Sequence, residues 1–264
     1  MVEGTITSLQ NPKVKQVLAL QQKSSERRKT GLFVVEGMRE VSHCLQAGYD
    51  IVTVFVCPQH LSDISSIVSL SSHLPIVEVS PQVYEKMAYR GGTEGILAMV
   101  RGKRLQLSDL HFSTNPLLIV IESVEKPGNL GAILRSADAS GADAVIVCDP
   151  LTDLYNPNLI RSSLGAIFSV PCIVSDSTSC IAFLREHGIR ILTAQLQDSH
   201  LYYHTDMRSA TAIVMGTEST GLTQQWREAA DAHIRIPMLG QLDSLNVSVS
   251  AAILLFEAVR QRQS

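Results

Sequence analysis

The chain has 264 residues, is 45% apolar and carries a formal net charge of -3, a length and hydrophobicity that support one large α/β domain or two smaller ones around packed cores. No apolar run approaches the length of a membrane span, and the opening MVEGTITSLQNPK lacks the apolar stretch of a signal peptide, so cytoplasmic residence is expected. The five cysteines (Cys44, Cys57, Cys148, Cys172, Cys180) are scattered without Cys-x-x-Cys or Cys/His spacing, which argues against a disulfide framework or a zinc site and makes them small core residues; no metal is expected.

The net charge neither announces nor rules out a nucleic-acid partner, because local clustering matters more than the total. Between Lys13 and Lys29, KVKQVLALQQKSSERRK places Val14, Val17 and Leu18 at helical spacing, with Lys13, Lys15, Lys23, Arg27, Arg28 and Lys29 pointing elsewhere. This reads as a basic, half-apolar helix and its exit. GLFVVEG then reads as a strand, MREVSHCLQAG as a helix stopped at Gly48, and IVTVFVC as a strand. A Ser-rich helix near Leu61 to Leu70, the strand PIVEVS, the helix start SPQVYEKMA and the strand GILAMV follow. Such alternation predicts a small three-layered α/β domain over 1–101.

GKRLQLSDLHFSTNP loses both periodicities and is expected to be a linker over 102–115. A second α/β domain, over 116–264, opens with LLIVIESV. Its strands AVIVCD, CIVS, IRILTAQL, TAIVMG and HIRIPM are continuous apolar runs of the kind buried on both faces of a parallel sheet.

In EKPGNLGAILRSADASGADAVIV, Leu130, Ile133, Leu134 and Ala137 form one apolar stripe, while Gly131, Ala132, Arg135 and Ala139 are expected on the opposite face. That face is bald except for the guanidinium, and Pro127, Gly128 and Asn129 stand where a strand-to-helix turn and its cap belong. A dinucleotide fold competes, but the spacing of Gly128 and Gly131 lacks the full G-x-G-x-x-G. Two later stretches add to the picture: IVMGTESTGL puts Gly216, Glu218 and Gly221 directly after a strand, and IRIPMLGQLDSLNVSVSAAILLFEAV joins a strand to a long helix. Three loops then lie at the carboxyl ends of strands, where open α/β sheets bind ligands.

PGNLGAILRSA, GTESTGL and IPMLGQLDSLNVSVSAA resemble, in order, the three motifs of the SpoU (TrmH-like) branch of the SPOUT RNA methyltransferases. NPKVKQVLALQQKSSERRKTGLFVVEGMREV is similar to the family's amino-terminal substrate-binding domain, itself related to RNA-binding ribosomal proteins. The resemblance implies a second domain with a deep carboxyl-terminal trefoil knot, S-adenosylmethionine as cofactor, and a homodimer. It implies a cofactor cradle of Gly216, Thr217, Gly221, Ile236, Pro237, Met238, Leu245 and Asn246, and a polar catalytic set of Asn129, Arg135, Glu218, Ser244 and Asn246. Lys126 before Pro127 and Ser219 after Glu218 depart from the family's commonest pattern; both bear on the RNA target rather than the chemistry.

What the resemblance implies is methyl transfer to a ribose 2′-hydroxyl of RNA, ribosomal RNA before transfer RNA. Arg135 then serves either as general base or as a cation that stabilises the developing alkoxide and clamps a phosphate. Ser244 reads equally as the N-cap of the last helix, whose stripe is Val247, Ala251, Leu254, Leu255 and Ala258, and Glu218 equally as a helix N-terminal acid. Lys13, Lys15, Arg27, Arg28, Lys29 and Arg161 are the expected RNA contacts. None of the histidines has metal-ligand or triad company. A non-catalytic RNA-binding protein of the same fold, and more remotely a nicotinamide enzyme, are the competing classes.

Overall fold

Short strands alternating with helices resolve into two units, each built on its own sheet. The computed structural model describes residues 3–61, 74–89, 94–112, 114–217 and 220–263. One unit comprises Met1–Lys103 together with Asp153–Phe168, the other Arg104–Thr152 together with Ser169–Ser264. The helix expected at Leu61 to Leu70 lies, beyond Leu61, outside the described residues.

In the first unit the basic stretch is two helices rather than one. Asn11 caps α1 (Pro12–Gln22) by accepting from the Lys13 amide, and Val14, Val17 and Leu20 are buried. Lys23 then adopts an extended conformation, which restarts the helical phase in α2 (Ser24–Thr30) until Gly31 ends it at φ 68°. The sheet has the order β1 (Glu3–Ile6), β4 (Ile76–Val79), β3 (Ile51–Val56), β5 (Ile96–Arg101), β2 (Leu32–Glu36). β1 and β3 run parallel to β4, whereas β5 is antiparallel to β3 and β2.

Alternation along β2 divides the unit's core. Val34 faces the apolar side of α1 and that of α4 (Pro81–Met87, capped by Ser80), with Phe55, Val77, Leu97 and Met99 alongside. Phe33 turns the other way and stacks on Tyr155, with ring centroids 4.1 Å apart. α3 (Met38–Gln46) buries Val41 and Cys44. The segment Asp153–Phe168, read from the sequence as part of the second domain, carries α6 (Pro157–Ser163) and most of α7 (Ala166–Ser169) and packs here because Asp153 and Tyr155 find their partners in this unit.

The second unit carries a parallel sheet in the order β10 (His200–Leu201), β12 (Ala232–Arg235), β9 (Arg190–Ala194), β11 (Thr211–Met215), β6 (Leu117–Glu122), β7 (Ala144–Cys148), β8 (Cys172–Ser175). β6, β7 and β11 are buried along their whole length, as parallel strands covered on both faces require. One face is covered by α8 (Ser177–Glu186) and α9 (Gln224–Ala229), which pack Cys180, Leu184 and Trp226 onto Leu118, Val120, Ile146 and Val214. The segment read as a linker is not free, since Leu107, Leu110 and Phe112 rest against this core. α5 (Pro127–Ser140) and α10 (Val247–Arg262) pack against each other, α10 also touching β6 and β11. No helix among the described residues is long and apolar enough to cross a membrane.

Candidate active site at the carboxyl ends of the parallel strands

The stripe expected on α5 is realised in full: Leu130, Ile133, Leu134 and Ala137 are all buried. Gly131, expected on the opposite face, is buried with them. Lys126 is the N-cap and Pro127 the first helical residue, so Asn129 sits inside the first turn rather than in an entrance loop.

The start of α10 corrects the reading of Ser244 as its cap. Asn246, not Ser244, is the N-cap: its Oδ1 accepts from the Ser248 amide at 3.0 Å and from the Ser248 hydroxyl at 2.6 Å. The same side chain donates through Nδ2 to Asn129 Oδ1 at 3.2 Å, joining residues far apart in the chain. Ser244 instead donates to Asp243 Oδ1 at 3.2 Å.

Beside this pair the loops after β9, β11 and β12 enclose a cleft of about 370 Å³, within the range of small-molecule sites. Of the expected cradle, Gly216, Thr217, Gly221, Ile236, Met238 and Leu245 line it, and Ser244 does so as well. Pro237 and Asn246 do not. Asn129 lines a neighbouring hollow of about 120 Å³ that shares Gly216, Thr217 and Val247 with the cleft. Arg135 is exposed on α5 and lines neither space. Glu218 lies outside the described residues.

The β11 loop is held tightly. Thr217 and Gly221 bridge their backbones, the Thr220 amide donates to Thr217 Oγ1 at 3.0 Å, and Gly221 takes φ 68°. A Cβ at Gly216 would overlap the Gly221 carbonyl, so only glycine fits. The far end of the loop is anchored by a residue that sequence reasoning missed. Glu122, buried at the end of β6, accepts from the Thr223 amide at 2.9 Å and its hydroxyl at 2.7 Å. Ser177 completes the network: its hydroxyl donates to Asp149 at 2.7 Å and accepts from Trp226 Nε1 at 2.9 Å. The signal was visible as an acid closing the apolar run LLIVIE.

The expected RNA contacts separate in the first unit. Lys15, Arg28, Lys29 and Arg161 are exposed and Lys13 is half-buried. Arg27 is buried: it forms an ion pair with Asp153 at 2.6 Å and donates to the Leu20 and Gln21 carbonyls. Its guanidinium is therefore engaged internally, and the sequence's expectation for it is corrected. Burial raises the carboxyl pKa of Glu36, in a hollow that Arg161 also lines. Among the described residues no group of three or more His, Cys, Asp or Glu is disposed to hold a metal ion.

Residues 116–256 match the model of the SpoU rRNA methylase family, and residues 11–98 that of the MRM3-like substrate binding domain. A 23S rRNA (guanosine-2′-O-)-methyltransferase RlmB of Photobacterium profundum is 40% identical over 176 residues, 64% of this chain and 72% of that one. The 23S rRNA (guanosine(2553)-2′-O)-methyltransferase RlmP of Bacillus subtilis is 29% identical over 252 residues, 95% of this chain and 97% of that one. The crystal structure of an AdoMet-bound rRNA methyltransferase from Sinorhizobium meliloti superposes with a TM-score of 0.91 at 29% identity, covering 100% of this chain and 99% of that one.

Proposed function

The chain belongs to the SpoU rRNA methylase family, and on that premise we propose that it transfers the methyl group of S-adenosylmethionine to a ribose 2′-hydroxyl of ribosomal RNA. The observation that carries this reading is the convergence of Gly216, Thr217, Ile236, Met238 and Leu245 on one cleft beside the Asn129–Asn246 pair. The RlmB and RlmP relatives are named for guanosine in 23S rRNA, which makes a guanosine ribose the favoured acceptor.

S-adenosylmethionine supplies a methyl already activated by its sulfonium, so this chain's task is alignment. Well-oriented reactants can gain on the order of 7 to 11 kcal/mol from proximity. The β11 and β12 loops hold the cofactor. The Asn129 and Asn246 amides, each both donor and acceptor, orient the ribose. A guanidinium stays protonated in proteins, so Arg135 acts as a cationic clamp on the developing alkoxide and the adjacent phosphate. Glu218 fixes Arg135 or binds the cofactor amine. Ser244, at the mouth of the cleft, adds a hydroxyl to the polar set.

The unit of Met1–Lys103 and Asp153–Phe168 serves as the RNA-binding domain and that of Arg104–Thr152 and Ser169–Ser264 as the catalytic domain, with Lys13, Lys15, Arg28, Lys29 and Arg161 contacting phosphates. The match to a substrate-binding model supports this assignment. The trefoil knot is carried over from the family, on the match of residues 116–256. The exposed Leu239, Leu242, Leu245, Val249 and Phe256 support a homodimer formed through the loop before α10 and through that helix. The enzyme works in the cytoplasm. Mapping 2′-O-methyl positions across cellular RNA with and without the protein tests the reading. Loss of a single ribosomal methylation is expected; loss confined to transfer RNA, or no loss, would overturn it.

A further inference from the structure

Among the described residues three buried side-chain atoms lack a hydrogen-bond partner: His43 Nδ1, Gln195 Oε1 and Arg227 Nε. Gln195 and Arg227 both line the same cleft. Native proteins leave few such atoms unpaired, and each costs about 1–3 kcal/mol while it stays so. One is an acceptor and the other a donor. A ligand with both kinds of group on a compact apolar frame satisfies them, whereas a bare anion does not.

Gln195 directly follows β9, and its backbone amide donates to the Ile234 carbonyl at 3.0 Å. Its Nε2 donates to the Gln197 carbonyl at 2.9 Å. Exchanging the amide's oxygen and nitrogen would set two acceptors face to face, so Oε1 is held as the atom without a partner. β9 lies two strands from β6 in the sheet, a lateral distance of about 10 Å. The sulfur of a cofactor aligned on Asn129, which follows β6, would therefore sit well away from Gln195. The methionine ammonium and the ribose hydroxyls lie within a few bonds of that sulfur. The exocyclic amine of adenine lies at the far end of the molecule, and it is a donor.

We propose that Gln195 is a specificity-determining residue that reads the 6-amino group of the cofactor's adenine through Oε1. The proposal rests on the assignment of the cleft to S-adenosylmethionine. It predicts discrimination against a 6-oxo base, whose carbonyl would oppose Oε1.

The test is calorimetry on the full chain with S-adenosyl-L-homocysteine and S-inosyl-L-homocysteine. The wild type is expected to prefer the adenosyl compound by roughly 10-fold or more. In Gln195→Met, of similar shape but without the acceptor, the preference should fall to within about twofold, as the loss of one hydrogen bond implies. Gln195→Glu keeps an acceptor and should keep the preference. Equal binding of the two compounds by the wild type, or an undiminished preference in Gln195→Met, would overturn the proposal while leaving the cofactor assignment intact. Binding of neither compound by the wild type would remove the cofactor assignment and the proposal with it.

Discussion

Gly216→Ala isolates the tightest contact in the cradle. The added methyl group would meet the Gly221 carbonyl carbon and oxygen and the Leu222 nitrogen, all main-chain atoms. No side-chain rotation can relieve that overlap, so the 217–222 loop must open. Without the overlap, Gly→Ala stabilises by about 0.4–1 kcal/mol through the unfolded chain; overpacking costs about 1–3 kcal/mol. The net effect is a loss of up to about 2.6 kcal/mol, a fall in Tm of up to about 10 °C for a domain of this size. Because Thr217, Gly221 and Leu222 line the cleft, calorimetry with S-adenosylhomocysteine should show affinity reduced at least about 10-fold, the equivalent of 1.4 kcal/mol. A variant that melts above the wild type and binds the compound normally would refute the argument from loop closure.

Arg135→Ala should abolish turnover while S-adenosylhomocysteine affinity stays within about threefold, since Arg135 lines no part of the cleft; normal methylation by this variant would remove its role. Asn246→Ala removes the α10 cap and should cost about 1 kcal/mol, whereas Asn246→Asp keeps the cap acceptor but loses the donor to Asn129. The aspartate variant should thus melt like the wild type yet methylate poorly, and full activity would show that the Asn129 contact is idle. Arg28→Glu with Lys29→Glu should weaken RNA binding and flatten the slope of log K against log salt by about 1.5, as the loss of two phosphate contacts implies; an unchanged slope would move the RNA elsewhere. Burial pushes the Cys172 thiol above its ordinary range, up to about 12. The folded state holds that proton longer than the unfolded chain, so stability is present below the ordinary thiol pKa and lost as pH rises towards 12. Urea unfolding of Cys172→Ala should lose up to about 1.4 kcal/mol per pH unit less than the wild type in that window, and parallel pH profiles would contradict this.

Periodicity carried the helices that face the sheet. The stripe of α10, Val247, Ala251, Leu254, Leu255 and Ala258, is buried as spaced, and so is that of α5. The apolar runs of β6, β7 and β11 read correctly because parallel strands buried on both faces leave no polar position. The basic stretch read less well. A single extended residue, Lys23, breaks the helix and turns Arg27 inward to Asp153, a partner no local pattern announces. Ser244 read as the candidate cap of α10, and the backbone gives that place to Asn246 instead, two residues further on. Glu122 and Gln195 escaped because their roles depend on Thr223 and on a loop that only the sheet order brings near.

The central claim is methyl transfer to a ribose oxygen, and incubation of unmodified 23S rRNA with the protein and methyl-labelled S-adenosylmethionine tests it most directly. Alkaline hydrolysis followed by mass spectrometry should find the label in one alkali-resistant dinucleotide with the methyl on the 2′-oxygen. Label on a base, or none in RNA while the cofactor binds, would contradict the account.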